Sequence, residues 1–507
     1  MSLFRSVEAH ALRDPGKVAV VAYGQRISYG ELLDRVNRVA GALHGMGLAQ
    51  GDRIALLMPN GAEFIVSFYA AMKLGLITVS LNVMFKRDEV SYILDDSQPE
   101  VLIVHEDYLA TVGETASLRD GRIRRLVVHR AGATETRDGL SFQILLDRPC
   151  RDSPVADPGP DGEAVIAYTS GTTGFPKGAV HTHGNILFHL EGIRKHLGFD
   201  SGDVFLAALP FFQLVAFLIH PGLALHAGAT VVVLEKFEPG VFLRTVRDEG
   251  VTFFGAVPTI YQMIHRASEG AGADLSTVRF GICAGSPLSE ELRTQFEGTF
   301  DFRIVHCYGM TEIALIAACE SPASEPRGVS VGQVMPYIRL GIFDTRGGEV
   351  SKGEVGVIRI GAERALRSYW NAPRETDRAI RDGWFATGDM GRFDEEGHLY
   401  IVDRKKDMII RGGFNVFPAE IERVLLEDDR VQEVAVVGIP HPRLGEVPKA
   451  YVVRREGAEL TAQDLMNLAR ARLAHFKALE EVEFVDPAFF PRNALGKILK
   501  KALRERR

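Results

Sequence analysis

Cysteine is scarce and scattered, with four residues at 150, 283, 307 and 319 in a chain of 507. That spacing excludes a disulfide framework and a clustered zinc site, and it makes a reducing cytoplasm the expected compartment. An excess of positive charge is also missing. The formal net charge is -7, so nothing in the balance points to a nucleic-acid partner. The start, Met1-Ser2-Leu3-Phe4-Arg5, lacks the apolar core of a signal segment. No internal repeat and no coiled-coil pattern is present. Residues 204–234 contain no Asp, Glu, Lys or Arg, and that length can cross a bilayer. However, Pro210, Gln213, His220, Pro221, Gly222, His226 and Gly228 interrupt the stretch. The interruptions predict strand, turn, helix and strand instead of a span.

The composition, 46% hydrophobic and 25% charged, is that of a soluble globular protein long enough for two or three domains. Ser28 and Glu31 form a capping box before a helix whose apolar stripe is Leu32, Val36, Val39, Ala40 and Leu43. Strands are expected at 53–58, 76–80 and 101–104, with a helix over 61–73. This alternation predicts a layered α/β domain. Residues 146–163 are polar, carry four prolines and read as a linker or surface excursion.

What the chain does have is concentrated at Tyr168-Thr169-Ser170-Gly171-Thr172-Thr173-Gly174-Phe175-Pro176-Lys177-Gly178. Glycines let a backbone turn tightly and aim its N–H groups at one object. The hydroxyls add donors and Lys177 adds a mobile positive charge. Such a loop suits a polyphosphate. It is not Walker A, which requires Ser or Thr after the lysine; here Gly178 follows. Further on, a strand over 303–305 runs into His306-Cys307-Tyr308-Gly309-Met310-Thr311-Glu312. Tyr308 can stack on a purine, Thr311 can donate to a phosphate oxygen, and Glu312 can share a magnesium ion with phosphates. His181 and His183 stand two apart with no third ligand nearby, so pocket lining or helix capping is the expected role instead of metal binding.

The loop at 168–178 resembles the phosphate loop of the acyl-adenylate-forming enzymes: acyl-CoA synthetases, carrier-protein adenylation domains and luciferases. Later motifs agree in order, so the resemblance covers nearly the whole chain. It implies a large multi-subdomain α/β domain at 1–402, a hinge at 403–408, and a small mobile α+β domain at 409–507. It places Thr169, Ser170, Gly171, Thr172, Thr173, Gly174 and Lys177 on the ATP phosphates. The turn Gly285-Ser286-Pro287 and Tyr308 fall to the adenine, Asp389 of Thr387-Gly388-Asp389 and Arg404 to the ribose, and Thr311 and Glu312 to the phosphates and Mg²⁺. Phe212, Gln213, Val215, Cys307 and Gly309 fall to the acid pocket, Lys406 to the hinge pivot, and Gly412, Gly413 and Phe414 to the CoA tunnel. Lys497, in Pro491-Arg492-Asn493-Ala494-Leu495-Gly496-Lys497, matches the family's catalytic lysine. Most members have histidine where Gln213 stands, and many have Glu where Phe414 stands.

The implied reaction is ATP-dependent activation of a carboxylic acid to an acyl-adenylate, followed by transfer to the thiol of coenzyme A. Members that take malonate-like diacids place arginine at the position of Cys307. With Phe211, Phe212, Leu214, Val215 and Phe217 nearby in sequence, a second carboxylate would be costly to bury. A monocarboxylic acid with a medium or long aliphatic chain or an aromatic body is therefore expected. A carrier-protein thiol as acceptor, a luciferase and a non-catalytic lipid-binding protein are the alternatives. The last is disfavoured by the presence of Lys177, Glu312 and Lys497. No carrier segment follows Arg507. The resemblance leaves a homodimer and peripheral contact with a membrane open.

Overall fold

The computed structural model describes all residues except 1, 114, 116–117, 119, 122, 130–138, 149–153, 157, 170–175, 269–272, 345, 405–406, 412–413, 474, 493–495, 497 and 506–507. The chain divides into two compact units, Met1–Arg339 with Ile360–Phe385, and Leu340–Arg359 with Ala386–Arg507.

Two sheets form the first unit. In one, the strands Arg303–Gly309, Phe280–Cys283, Phe253–Ala256, Val204–Ala207, Thr230–Val233 and Val18–Ala22 lie side by side and parallel. Antiparallel Ile316–Cys319 and Gln25–Ser28 extend its two ends. The other runs Ser368–Tyr369, Lys177–Thr182, Glu163–Thr169, Ile77–Ser80, Arg53–Leu57, Val101–His105, Arg125–His129, Leu140–Ser141. Strands such as Thr-Val-Val-Val at 230–233 are short and β-branched, as strands covered on both faces are. The helix Tyr29–Gly45 starts at the expected capping box, and all five residues of its apolar stripe are buried.

The uncharged stretch resolves into the strand Val204–Ala207, a helical segment and the strand Thr230–Val233. The helical segment widens into a π turn over Leu218–Gly222 with Pro221 inside it. Pro221 has no N–H to give, which favours such a local widening. His220 ties the turn to the sheet: Gly255 N–H donates to its Nε2 at 3.0 Å, and its Nδ1–H donates to Ala216 O at 2.9 Å. Among the described residues no helix is long and apolar enough to cross a membrane. The helix Phe142–Asp147 takes in residues 146 and 147, the first two of the expected linker region.

The second unit opens with a sheet containing Leu340–Phe343, Gly356–Gly361, Trp384–Phe393 and Leu399–Arg404. Beyond it, Phe414–Val416, Ile409–Arg411, Gly445–Arg454 and Val431–His441 form a further sheet, with Glu481–Phe484 parallel to Gly445–Arg454. The helices Pro418–Leu426 and Ala462–Arg472 cover it, burying Ile421, Leu425, Leu465 and Ala469 against Val434, Val436 and Val452. Pro418 is the first helical residue of one, and Thr461 caps the other. The chain is thus a large α/β portion followed by a smaller α+β portion.

Candidate active site

The strands on either side of residues 170–175 pair antiparallel. Tyr168 pairs with Gly178 and Thr169 with Lys177. Ser170, Gly171, Thr172, Thr173 and Gly174 lie outside the described residues, but both feet of the hairpin are held. Tyr168 Oη donates to Asp96 Oδ2 at 2.5 Å, and Tyr92 Oη donates to Pro176 O at 3.2 Å. The acceptor Asp96 and the donor Tyr92 both come from the helix Arg87–Ser97. Burial and the Asp96 carboxylate push the Tyr168 phenol up, so it stays a donor. A Cβ on Gly178 would overlap Ile166 and crowd Tyr168 and Trp370, so glycine is required where those side chains cross.

Glu312 meets this hairpin from far along the chain. It sits in a 3-10 turn, Thr311–Ile313, after the strand Arg303–Gly309. Thr169 Oγ1 donates to its Oε1 at 3.3 Å, as does Tyr369 Oη at 3.3 Å. The backbone there is tight. Leu366 N donates to Glu312 O at 2.6 Å, Ala314 adopts φ 65°, and a Cβ on Gly309 would overlap the Leu315 carbonyl. Lys177 Nζ stands 5.6 Å from the Tyr369 ring centroid.

Tyr308 and the turn Gly285-Ser286-Pro287 leave neighbouring parallel strands at their carboxyl ends, with Cys283 paired to His306. Ligands of α/β sheets collect at such ends. Gly285 has φ 84°, a conformation that favours glycine. Beneath Tyr308 is a buried support: Arg293 clamps Glu320 with two bonds of 3.0 and 2.9 Å, and Glu320 Oε2 accepts His306 N–H at 2.8 Å. His306 is buried and neutral, its pKa lowered to about 4, chiefly by desolvation. Cys307 is 3% exposed and faces Cys319 across the strand pair, Sγ to Sγ 2.6 Å. The two thiols therefore pack together on one face of the strand pair.

The apolar segment after residue 209 is divided between core and cavity. Phe211 and Phe217 are about 1% exposed; Phe211 meets Phe217 and Phe64 edgewise, and Phe217 meets Phe64 at a tilt. A cavity of about 10 Å³, room for one water, lies among Phe68, Ser80, Ile166, Phe212, Leu214 and neighbours. Gln213 and Val215 are half-buried and do not line this cavity. The expectation for His181 and His183 needs correcting. The residue that caps the helix His183–Leu197 is Thr182, which accepts Asn185 N–H at 3.1 Å. Both histidines are core, their pKa values lowered by burial to about 3 and about 4.

In the second unit Asp389 and Arg404 are cross-strand partners, and Arg404 Nε lies 3.2 Å from Asp389 Oδ1. Asp389 is 5% exposed, and Gly388 before it has φ 77°. Asp403 is buried and caps the next helix, accepting Ala419 N–H at 3.0 Å. Burial raises its pKa against the opposing pull of Lys500. Asp407 pairs with Arg504, and Lys500 with Glu422 at 2.7 Å. Lys406, Gly412, Gly413 and Lys497 lie outside the described residues. Phe414 is 57% exposed and stacks on Phe476 at 4.8 Å. Arg492 bridges to Ile498 and donates to Gly496 O at 2.9 Å, closing the backbone on both sides of position 497. Asp394, Glu396 and His398 cluster at a hairpin turn, where Asp394 Oδ1 accepts the Glu396 and His398 N–H groups. Those bonds account for the cluster.

Sequence reasoning missed Tyr369, Asp96 and the Arg293–Glu320 clamp. A Tyr-Trp-Asn string at 369–371 was the one available signal for the first.

Residues 7–370 match the family described as AMP-binding enzyme, and residues 420–497 match the AMP-binding enzyme C-terminal domain. A feruloyl-CoA synthase from Amycolatopsis sp is 35% identical over 498 residues, 98% of this chain and 97% of that protein. The long-chain-fatty-acid–CoA ligase FadD13 of Mycobacterium tuberculosis is 35% identical over 486 residues, 95% of this chain and 93% of its own. The crystal structure of ATP-bound MatB from Rhodopseudomonas palustris superposes with a TM-score of 0.90 at 30% identity, covering 100% of this chain and 99% of that one.

Proposed function

The chain belongs to the AMP-binding, acyl-adenylate-forming enzyme family, as an AMP-forming acid–thiol ligase acting on a carboxylic acid, and on that premise we propose that it is an acyl-CoA synthetase for a monocarboxylic acid. One observation carries the reading: the Thr169 hydroxyl and the Glu312 carboxylate, 143 residues apart in sequence, lie within 3.3 Å. Two motifs suited to phosphate and its counter-ion thus form one site.

A carboxylate oxygen attacks the α-phosphorus of ATP, the bond to the bridging oxygen breaks, and pyrophosphate leaves. Holding two anions together requires fixed donors and positive charge. Thr169, Ser170, Gly171, Thr172, Thr173, Gly174, Lys177 and Thr311 serve the phosphates, and Lys497 serves the carboxylate and α-phosphate. Glu312 and Thr169 fit a magnesium ion, because both offer the oxygen donors it takes alongside substrate phosphates. A magnesium ion held there would supply charge neutralisation for the leaving phosphates. Asp389 with Arg404 holds the ribose, and Gly285, Ser286, Pro287 and Tyr308 hold the adenine. In the second step the CoA thiolate attacks the acyl carbon and AMP leaves. Gly412, Gly413 and Phe414 serve the thiol's approach, after a turn about Lys406 in a hinge at 403–408.

The acid is aliphatic of medium or long chain, or aromatic, bounded by Phe212, Gln213, Val215, Cys307 and Gly309. The similarity to feruloyl and long-chain fatty-acid ligases supports this. A pyrophosphate-release panel of acids, with and without CoA, tests both halves. Highest kcat/KM with malonate or another short diacid would sink the substrate class. Release of pyrophosphate with no thioester until a carrier-protein thiol is supplied would replace CoA as acceptor.

A further inference from the structure

Tyr369 belongs to none of the motifs that suggested the function. It lies on the two-residue strand Ser368–Tyr369, which runs antiparallel to the strand leaving the phosphate loop, with Tyr369 opposite Ala179. From there it touches two groups that the nucleotide would need. Its hydroxyl donates to Glu312 Oε1 at 3.3 Å, and its ring carries Lys177 Nζ at 5.6 Å from the centroid. The same Oε1 accepts the Thr169 hydroxyl, so two donors converge on one oxygen and set the plane of the carboxylate.

The strand is fastened where it stands. Tyr369 N–H donates to Thr376 Oγ1 at 2.9 Å, and Trp370 N–H donates to Gly178 O at 2.7 Å. Trp370 Nε1 and Asn371 Nδ2 both donate to Asp96 O, at 3.1 and 2.9 Å. Asp96 is the residue that holds Tyr168 at the other foot of the hairpin. A clip of three successive side chains, Tyr369, Trp370 and Asn371, therefore joins the carboxylate, the lysine and the base of the loop. A lysine ammonium on a flexible stem has no fixed direction of its own. An aromatic face gives it one without neutralising its charge, as a carboxylate partner would.

We propose that Tyr369 is a positioning residue for the nucleotide, its hydroxyl aiming Glu312 toward the metal and its ring holding Lys177 at the phosphate loop. This rests on the ATP and magnesium reading above. The bland alternative is that Tyr369 only pairs backbone and fills space beside the strand.

Tyr369→Phe separates the two, since it keeps the ring, the backbone pairing and the volume and removes the hydroxyl alone. Calorimetric binding of a non-hydrolysable ATP analogue to the full chain, titrated with Mg²⁺, is the first readout. Loss of a partner that orients a metal ligand is expected to raise the half-saturating Mg²⁺ about tenfold. The melting temperature and the KM for the acid should stay at wild-type values. Tyr369→Leu removes the ring as well, and it should weaken nucleotide binding further even at saturating Mg²⁺. A wild-type chain that binds the analogue while Tyr369→Phe shows the same Mg²⁺ dependence overturns the inference alone. So does a Tyr369→Phe protein that melts lower and loses binding equally at every Mg²⁺ concentration, because that pattern is structural. A wild-type chain that binds no nucleotide overturns the functional reading and this inference with it.

Discussion

At the scale of single residues, the candidate site depends on side chains held in place by immediate neighbours. Asp389 is nearly buried and faces the Arg404 guanidinium at 3.2 Å. A carboxylate in that position offers two fixed acceptors, which suits the paired hydroxyls of a ribose. Replacing Asp389 with Ala should raise the KM for ATP and lower turnover. The loss corresponds to about 2 to 5 kcal/mol for a desolvated charge-assisted contact, part of it from the stranded arginine. Kinetics at limiting ATP check this, and wild-type values would remove Asp389 from the ribose. Glycine has a comparably local reason at two places. Gly309 and Gly178 stand where a Cβ would overlap Leu315 and Ile166 respectively, so Gly309→Ala should damage the turn leading to Glu312 more than a surface substitution does. A thermal melt beside an ATP-binding isotherm would show whether that damage is local.

At the scale of elements, side chains from distant segments hold the ends of strands and helices. The helix Pro418–Leu426 begins under the carboxylate of Asp403, which accepts Ala419 N–H at 3.0 Å. Asp403→Ala removes an N-terminal cap, at a cost of about 1 kcal/mol. Hydrogen exchange in the full chain should show faster opening of residues 418–426, with the helix Ala462–Arg472 less affected; equal protection in both proteins would rule the cap out. The π turn Leu218–Gly222 is held in the same manner by His220, whose ring accepts from Gly255 and donates to Ala216. His220→Leu strands a buried Gly255 N–H, a penalty of about 1 to 3 kcal/mol, and should lower the melting temperature of the first unit.

At the scale of the whole molecule, the buried histidines set an acid limit. His181, His183, His189, His220 and His306 all have pKa values lowered by burial, to about 3 for the first and about 4 for the others. Unfolding exposes them to water, where they bind protons near pH 6.5. The unfolded state therefore holds more protons between those values, and stability must fall as pH drops from about 6.5 toward 4. Each histidine contributes a slope of about 1.4 kcal/mol per pH unit in that window. Urea melts across this range should show a steep multi-proton dependence; a flat profile would mean that the histidines are not neutral in the fold. The proposed two-step reaction makes a separate demand. Lys497→Ala should cost the adenylation step several orders of magnitude, about what losing a transition-state charge costs. The same protein should still make thioester from preformed acyl-adenylate and CoA at near wild-type rate. Lys406→Pro should do the reverse, because a fixed φ restrains the pivot. Single-turnover pyrophosphate release and thioester formation separate these, and equal damage to both steps by Lys497→Ala would end the two-orientation account.

Short strings of residues were enough to foresee the strand over 303–305 and the alternation of strands and helices, and to single out the strings at 168–178 and 306–312. Each is governed by backbone freedom and side-chain chemistry within about ten positions, which a sequence displays directly. Ser28 capping its helix and Pro418 opening another are of the same kind. The contacts that aim those groups were not legible. Tyr369 lies 57 residues from Glu312, and Trp370 lies 274 from Asp96. Thr182, set between two histidines, became the cap while both rings went to the core. Phe211 and Phe217 pack on Phe64 while also lining the small cavity beside Phe212, a meeting of distant side chains that no local string displays. Such pairings follow from which apolar faces meet and which polar groups must then find partners inside. The local chemistry of the site is therefore written in the chain, whereas the choice of neighbours that orient it is made by packing across the sheets.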